Sequence, residues 1–451
     1  MKFMTASVTP HGLGKGFSRF LLALSLCAVA SPSGAGKPDW GTPPDFLSGV
    51  NLAGAEFAGG QIPGEENHHY AWPSIPVMDY WRDVGVTLIR LPFKWERIQP
   101  TLMGPFDPDY EAGLLRSVHA MRERGMWVIP DVHSYGRYRR GETRGKIGSE
   151  AVPYAAFADL WRRLALLLRE EPNIWGYGLM NEPQFAGDGG VDWRQCAQVA
   201  IDAIRAVDSR TTIVVANDYA AWSATYQKES DLADWAEKSM LIGRPDMLND
   251  PADNLRFELH VYFDHDNSGL YRNTYAQDEA RGRRVTPLVG VRRVMPFVKW
   301  LERHGARGFV GEFGCPANPG VDVRWLDVLE HTLAYLREHR IPSTIWAAGG
   351  KWTPGMGYVV ERRGWSRDLP EEVRSRHRPQ TLLMQRYMDP PRLDAEGERE
   401  LADYRRRYGA TEAPPETAEG FVRVEAFDAY GVKRTSIFHL SKDWHRTWAG
   451  D

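Results

Sequence analysis

Two glutamates close short apolar runs in this chain. Residues 175–180 lead into Asn181-Glu182-Pro183, and residues 308–311 lead into Glu312-Phe313-Gly314. Two carboxyl groups facing each other across a cleft are the equipment of glycoside hydrolysis. One is neutral and protonates the leaving oxygen; the other is ionised and attacks the anomeric carbon or activates water. Environment must push their pKa values apart. Other polar or aromatic residues end apolar runs in the same way: Arg90, His133, Tyr135, Asn181, His260, Tyr262 and Trp346. Each alone has a plain structural reading. A strand-end histidine is usually a satisfied packing residue, an arginine an ion-pair partner, a tryptophan core, and Asn-Glu a helix cap. Their joint placement beside two glutamates is hard to explain as packing.

The elements that must position them are runs suited to buried strands. Residues 49–52, 87–92, 127–133, 175–182, 211–217, 255–262, 308–312 and 343–347 are the eight candidates. Pro92 and Pro183 are expected to close the second and fourth. Amphipathic stretches at 75–84, 109–124, 153–171, 192–207, 287–304 and 323–340 read as helices, with Gly125 a C-cap. Repeated βα units imply a parallel sheet, and eight imply a closed (β/α)8 TIM barrel whose strand C-termini form the site. An open doubly wound sheet is the other architecture, but no GxGxxG follows the first strand.

The 451 residues carry a formal charge of −3, which gives no electrostatic footprint for nucleic acid or anionic lipid. The 17 tryptophans and 18 tyrosines suit sugar faces, although most must serve the core. Lys2, Lys15 and Arg19 precede an apolar core at 20–30 that ends in Ala28-Val29-Ala30, the pattern of a signal peptide over 1–30. Export to the periplasm or medium follows, with no membrane attachment after cleavage. Cys27 is a poor lipobox match because Leu26 precedes it. Cys196 and Cys315 are expected on an outer helix and at a strand tip, too far apart to pair. No CxxC or His-rich cluster indicates a metal. The barrel is expected over 40–360. A C-terminal extension over 361–451, packed on it, would contain a helix near 397–408 and two strands about residues 428–431.

Read together, these residues resemble glycoside hydrolase family 5, the cellulase-like retaining hydrolases. The resemblance runs from about Gly49 to about Gly357. It rests on Gly49-Val50-Asn51-Leu52, Ile89-Arg90-Leu91-Pro92, Asp131-Val132-His133-Ser134-Tyr135, Asn181-Glu182-Pro183 and the segment from His260 to Gly269. The last is similar to secreted endoglucanases. The resemblance implies Glu182 as acid/base and Glu312 as nucleophile. It also implies that Asn181 contacts the sugar 2-hydroxyl, Arg90 and Tyr262 hold the nucleophile, and His133 and His260 line the catalytic subsite. Trp346 would be a stacking platform, and no cofactor is implied. Ser134, where the family often has Asn, and Gly311 before Glu312 depart from the commonest pattern.

Weaker substrate-binding candidates lie on loops of the same face: Glu66, His68, His69 and Tyr70 after the first strand, Asn217, Asp218 and Trp222 after the fifth, Lys351 and Trp352 after the eighth. The resulting expectation is an exported, monomeric endo-β-1,4-glucanase acting on a β-glucan. The alternatives are the same chemistry on mannan or a bacterial exopolysaccharide, a silent glycan-binding or polysaccharide-export accessory protein, and a metal hydrolase. The last would need more clustered ligands than His133 and His260 supply.

Overall fold

Strands β1 (Ser48–Leu52), β2 (Leu88–Phe93) and β3 (Trp127–Val132) open a parallel sheet, and a hairpin β4 (Arg137–Arg140) with β5 (Thr143–Lys146) follows outside it. The sheet continues with β6 (Gly176–Gly178), β7 (Thr212–Ala216), β8 (Leu255–Tyr262), β9 (Gly308–Gly314) and β10 (Ser343–Ala348). These eight strands close in the order β1-β10-β9-β8-β7-β6-β3-β2, every pair parallel. The computed structural model describes residues 40–185, 193–218, 248–281, 285–316, 322–349, 360, 377–408, 421–427 and 433–439. The signal segment expected at 1–30, Trp222, Lys351, Trp352 and much of 361–451 lie outside the described residues.

Helices α1 (Ile75–Val84), α2 (Trp95–Ile98), α3 (Pro108–Glu123), α4 (Tyr154–Leu168), α5 (Trp193–Arg205), α6 (Tyr275–Ala280), α7 (Val289–His304) and α8 (Arg324–Glu338) connect the strands. Their ends follow local chemistry. Asp107 caps α3 by accepting from the Asp109 and Tyr110 amides, with Pro108 at the first turn. Gly85 ends α1 at φ 100, a left-handed conformation. β2, β3 and β9 are buried throughout. That is why parallel strands covered on both faces read as unbroken apolar runs. Trp81, Trp95, Trp161, Trp175, Trp193 and Trp300 are fully buried, so tryptophan abundance serves the core first.

Two strand ends differ from expectation. β2 runs through Pro92 to Phe93, because the missing amide falls next to the strand tip. β6 stops at Gly178, four residues short of Glu182. The Leu179 amide still donates to the Val214 carbonyl at 3.0 Å, but the Asn181 amide turns to the Val132 carbonyl on the other side, at 2.8 Å. The backbone thus changes neighbours before Glu182.

Beyond the barrel, α9 (Pro379–Tyr387) and α10 (Ala395–Tyr408) follow, then an antiparallel pair, β11 (Phe421–Phe427) with β12 (Lys433–His439). α9 packs on α8. Arg386 pairs with Glu330 at 2.5 Å and with Glu398; Arg405 pairs with Asp327 and Glu330 at 2.9 and 2.6 Å. Gln380 donates to the Pro316 carbonyl at 2.7 Å, just past β9. Leu382, Leu383, Met384 and Leu401 are buried. No helix among the described residues is long and apolar enough to cross a membrane.

Candidate active site

Arg90 on β2 is the hub of the barrel mouth. It is fully buried, and all three of its nitrogens are engaged. Nη1 donates to Glu312 Oε1 at 2.9 Å and Asn51 Oδ1 at 3.0 Å; Nη2 donates to Asn181 Oδ1 at 2.8 Å. Nη2 also lies 3.0 Å from Asp131 Oδ1, and Nε lies 2.9 Å from Glu258 Oε1. Register explains the convergence: Asn51 pairs with Arg90 across β1 and β2, and His260 with Glu312 across β8 and β9. Burial works against the charge on Arg90, but Asp131, Glu258 and Glu312 outweigh it and raise its pKa.

Glu312 accepts from Arg90 and, through Oε2, from the Tyr262 hydroxyl at 3.0 Å. His260 connects it to Glu182. Its Nδ1 lies 3.0 Å from Glu182 Oε1 and 3.6 Å from Glu312 Oε2, while its Nε2 lies 3.1 Å from Glu258 Oε1. Burial opposes a charge on His260, yet Glu312, Glu182 and Glu258 together push its pKa up to about 10. One oxygen of Glu182, one of Glu312 and a ring nitrogen of His260 lie within 4.8 Å of one another. Burial pushes the Glu312 pKa up, against His260, Arg90 and Tyr262. Burial likewise opposes the charge of Glu258, but Arg90 and His260 hold its pKa down. Asp131, raised by burial, accepts from or is shared with His133 Nδ1 at 3.0 Å. His133 is pushed well below the usual histidine range by burial, Lys94 and Arg90. It is therefore a neutral wall of the site.

Glu182 itself sits at φ 41, in the left-handed region, and Tyr135 at φ 55. Non-glycine residues held there mark a backbone constrained by its surroundings. The Tyr135 hydroxyl lies 3.2 Å from His133 Nε2. Trp346 is partly exposed, its ring nearly parallel to His133 with centroids 5.7 Å apart. The Asn181 Nδ2 is buried and has no partner among the described residues. Glu182, Glu312, Arg90, His133, Tyr135, Asn181, His260, Tyr262 and Trp346 therefore come together at one mouth.

Others do not join them. His68 and His69 gather with Glu65 in a separate, mostly exposed group on the loop after β1. His69 Nδ1 there already accepts the Glu65 amide at 3.0 Å. Asn217 is buried, its amide donating to the Glu258 carbonyl. The Ser134 hydroxyl donates to Glu96 Oε2 at 2.8 Å and ties the β3 tip to α2. Asp131, Glu258 and Asn51 were missed as functional residues. A signal was present for one: Glu258, His260 and Tyr262 alternate at period two and so face the same side. Gly311 is explained by Glu258, since a Cβ there would stand 1.7 Å from Glu258 Oε1.

The sequence model of Cellulase (glycosyl hydrolase family 5) matches residues 50–351. This chain belongs to that family. It is 30% identical to Endo-beta-1,4-glucanase A of Emericella nidulans over 74% of this chain and 90% of that one. The Pseudomonas stutzeri endoglucanase Cel5A, solved with cellobiose, is 35% identical, covering 78% of this chain and 95% of that one, with a TM-score of 0.62. XacCel5A, solved with cellopentaose, is 31% identical over 76% of this chain and all of that one, with a TM-score of 0.61. The cellulase barrel thus carries the carboxylate cluster, and the protein is a glycoside hydrolase.

Proposed function

We propose that the chain is an exported, retaining endo-β-1,4-glucanase with Glu312 as nucleophile and Glu182 as acid/base. The observation that carries this reading is that Glu182 Oε1 and Glu312 Oε2 both approach the same His260 Nδ1, at 3.0 and 3.6 Å, with an oxygen of each glutamate no more than 4.8 Å from the other. Retaining glycosidases hold their carboxyl groups about 5–5.5 Å apart, whereas inverting ones leave about 6.5–9.5 Å for a water. Arg90 and Tyr262 aim the Glu312 oxygens and favour its ionised form. Glu312 attacks the anomeric carbon while Glu182 gives a proton to the departing glycosidic oxygen. The protonated His260, 3.0 Å from Glu182, then stabilises the carboxylate left behind. That carboxylate takes a proton from the water that hydrolyses the glycosyl-enzyme, which restores the starting state. The unpartnered Asn181 Nδ2 is free to donate to the sugar 2-hydroxyl, and Trp346 offers a ring face to the sugar.

Glucan as the substrate is supported by the endoglucanase relatives and their complexes with cellobiose and cellopentaose. Export is supported by the basic start and apolar 20–30 segment, and N-terminal sequencing of the mature chain tests it. The deciding experiment is cleavage of cellopentaose by the wild type and by Glu312→Gln, with the first product anomer read by NMR. β-Product that vanishes in the variant is expected. Initial α-product would overturn retention, and no cleavage by the wild type would remove β-1,4-glucan as substrate.

A further inference from the structure

The hairpin β4–β5 stands on the active-site side of the barrel, between the tip of β3 and α4. Its register sets Arg137 opposite Lys146 and Arg139 opposite Arg144. Directly opposed residues share a face, so these four cations project together. The other face turns to the barrel. The Tyr138 hydroxyl donates to the Gln99 and Pro100 carbonyls at 2.9 and 2.8 Å, and Arg140 donates to the Glu96 carbonyl at 2.7 Å. Like charges directly opposite destabilise a strand pair. Among the described residues, the guanidiniums of Arg137 and Arg139 have no carboxylate partner, and Arg144 donates to the Gly141 carbonyl at 2.9 Å. Burial and the neighbouring Arg139 push the Arg137 pKa down; burial and Arg137 do the same to Lys146, against the attraction of Asp218. The facing Arg139 and Arg144 are both exposed and contribute nothing evident to folding, whereas Lys146 is also attracted by Asp218.

Their position supplies a use. A Cβ at Gly136, the residue before β4, would lie 2.4 Å from the Phe185 ring. Phe185 follows Glu182 by three residues, and Lys146 Nζ stands 5.8 Å from its ring centroid. The Phe185 amide donates to Asp218 Oδ1, just past β7. The cationic face therefore adjoins the cleft on the side of β6 and β7.

We propose that this hairpin binds carboxylate substituents carried by the glycan, so that the substrate class is an acidic, carboxylate-bearing β-glucan rather than plain cellulose. The inference rests on the β-glucanase reading above. Guanidinium forks match carboxylates in shape and charge. Uronic acid residues and acidic acetals or esters on a glucan would present the same group.

The test compares carboxymethyl cellulose with neutral hydroxyethyl cellulose, for the wild type and the Arg139→Gln/Arg144→Gln double variant, at low and high NaCl. On the anionic polymer, kcat/KM is expected to fall about 5–10-fold in the double variant, through KM, and similarly for the wild type in high salt. On the neutral polymer it stays within about twofold under either change, as expected where no charge is screened. An anionic-to-neutral ratio equal in wild type and variant overturns the proposal, as does a parallel loss on both polymers. If the wild type cleaves neither polymer, the β-glucanase reading fails. Calorimetric titration with both polymers then decides the inference, and equal binding of carboxymethyl cellulose by wild type and variant overturns it. Variant-sensitive binding of polyphosphate as tight as that of the carboxylated polymer overturns the commitment to carboxylates.

Discussion

His260 Nδ1 stands 3.0 Å from Glu182 Oε1, while the other ring nitrogen stands 3.1 Å from Glu258. A histidine between carboxylates, with its pKa pushed up to about 10, is a cation across the whole range in which free imidazole would titrate. Its folded pKa lies above the ordinary 6.5. It therefore contributes stability fully below about pH 6.5, and that contribution is lost as pH rises through about 10. The wild-type melting temperature should fall more steeply between pH 7 and 10 than that of His260→Asn. Parallel profiles would show that His260 is not charged.

Glu56 gives a second window. Its Oε2 accepts the Gly54 amide at 2.7 Å, and its buried Oε1 has no partner among the described residues. Burial pushes its pKa up to about 7. Folded Glu56 holds its proton where an unfolded one releases it, so this residue lowers stability as pH climbs from about 4.5 to 7. Glu56→Gln should raise the melting temperature at pH 8 and leave it nearly unchanged at pH 4.5. A uniform shift at both values would rule out the titration.

Tyr262 donates to Glu312 at 3.0 Å. A hydrogen bond to a charged group contributes about 1.5–3 kcal/mol, so Tyr262→Phe should lower kcat/KM on cellopentaose by about 10–150-fold. The melting temperature is the control. An unaltered kcat/KM would mean that Glu312 is held by Arg90 alone.

Gly311 leaves the space that the Glu258 carboxylate occupies. Gly311→Ala must displace that carboxylate and with it one partner of Arg90 and one of His260. Disturbing one partner of a buried ion pair costs about 3–5 kcal/mol, which predicts a large drop in thermal stability as well as activity. Wild-type melting behaviour in the variant would contradict the packing described.

Glu182→Gln should lose activity according to the leaving group. Cellopentaose needs a proton at the departing oxygen, and its hydrolysis should fall by at least about 100-fold. A dinitrophenyl cellobioside, which leaves unaided, should still release its phenol in the first step. Equal losses on both would move the acid role elsewhere.

The barrel was legible because buried parallel strands are apolar runs, and the residues that end such runs are the ones that face the cleft. Arg90, Glu182 and Glu312 stood out for that reason. Asp131 and Glu258 were harder to see because they lie inside the strands, where the apolar pattern suggests packing. Their partner Arg90 is distant in sequence, and only barrel closure brings the three together. The hairpin was missed outright. Arg137-Tyr138-Arg139-Arg140 has the composition of a solvated loop, and its one buried side chain, Tyr138, gives too little alternation to read. Ser134 shows that a residue beside two cleft residues need not face the cleft, since its hydroxyl turns to Glu96.

Residues 377–408 lie beyond the family match, which ends at 351, yet Gln380 fastens the backbone just after the Glu312 strand and Arg386 and Arg405 converge on Glu330. The stretch matched by the family model and the unit of folding are therefore different lengths in this chain. A gene fragment trimmed to the matched residues 50–351 would bare the α8 surface that Leu382, Leu383 and Met384 cover, and would strand Glu330 without its two arginines. A module transplanted from this protein must carry its trailing helices with it to keep that surface covered.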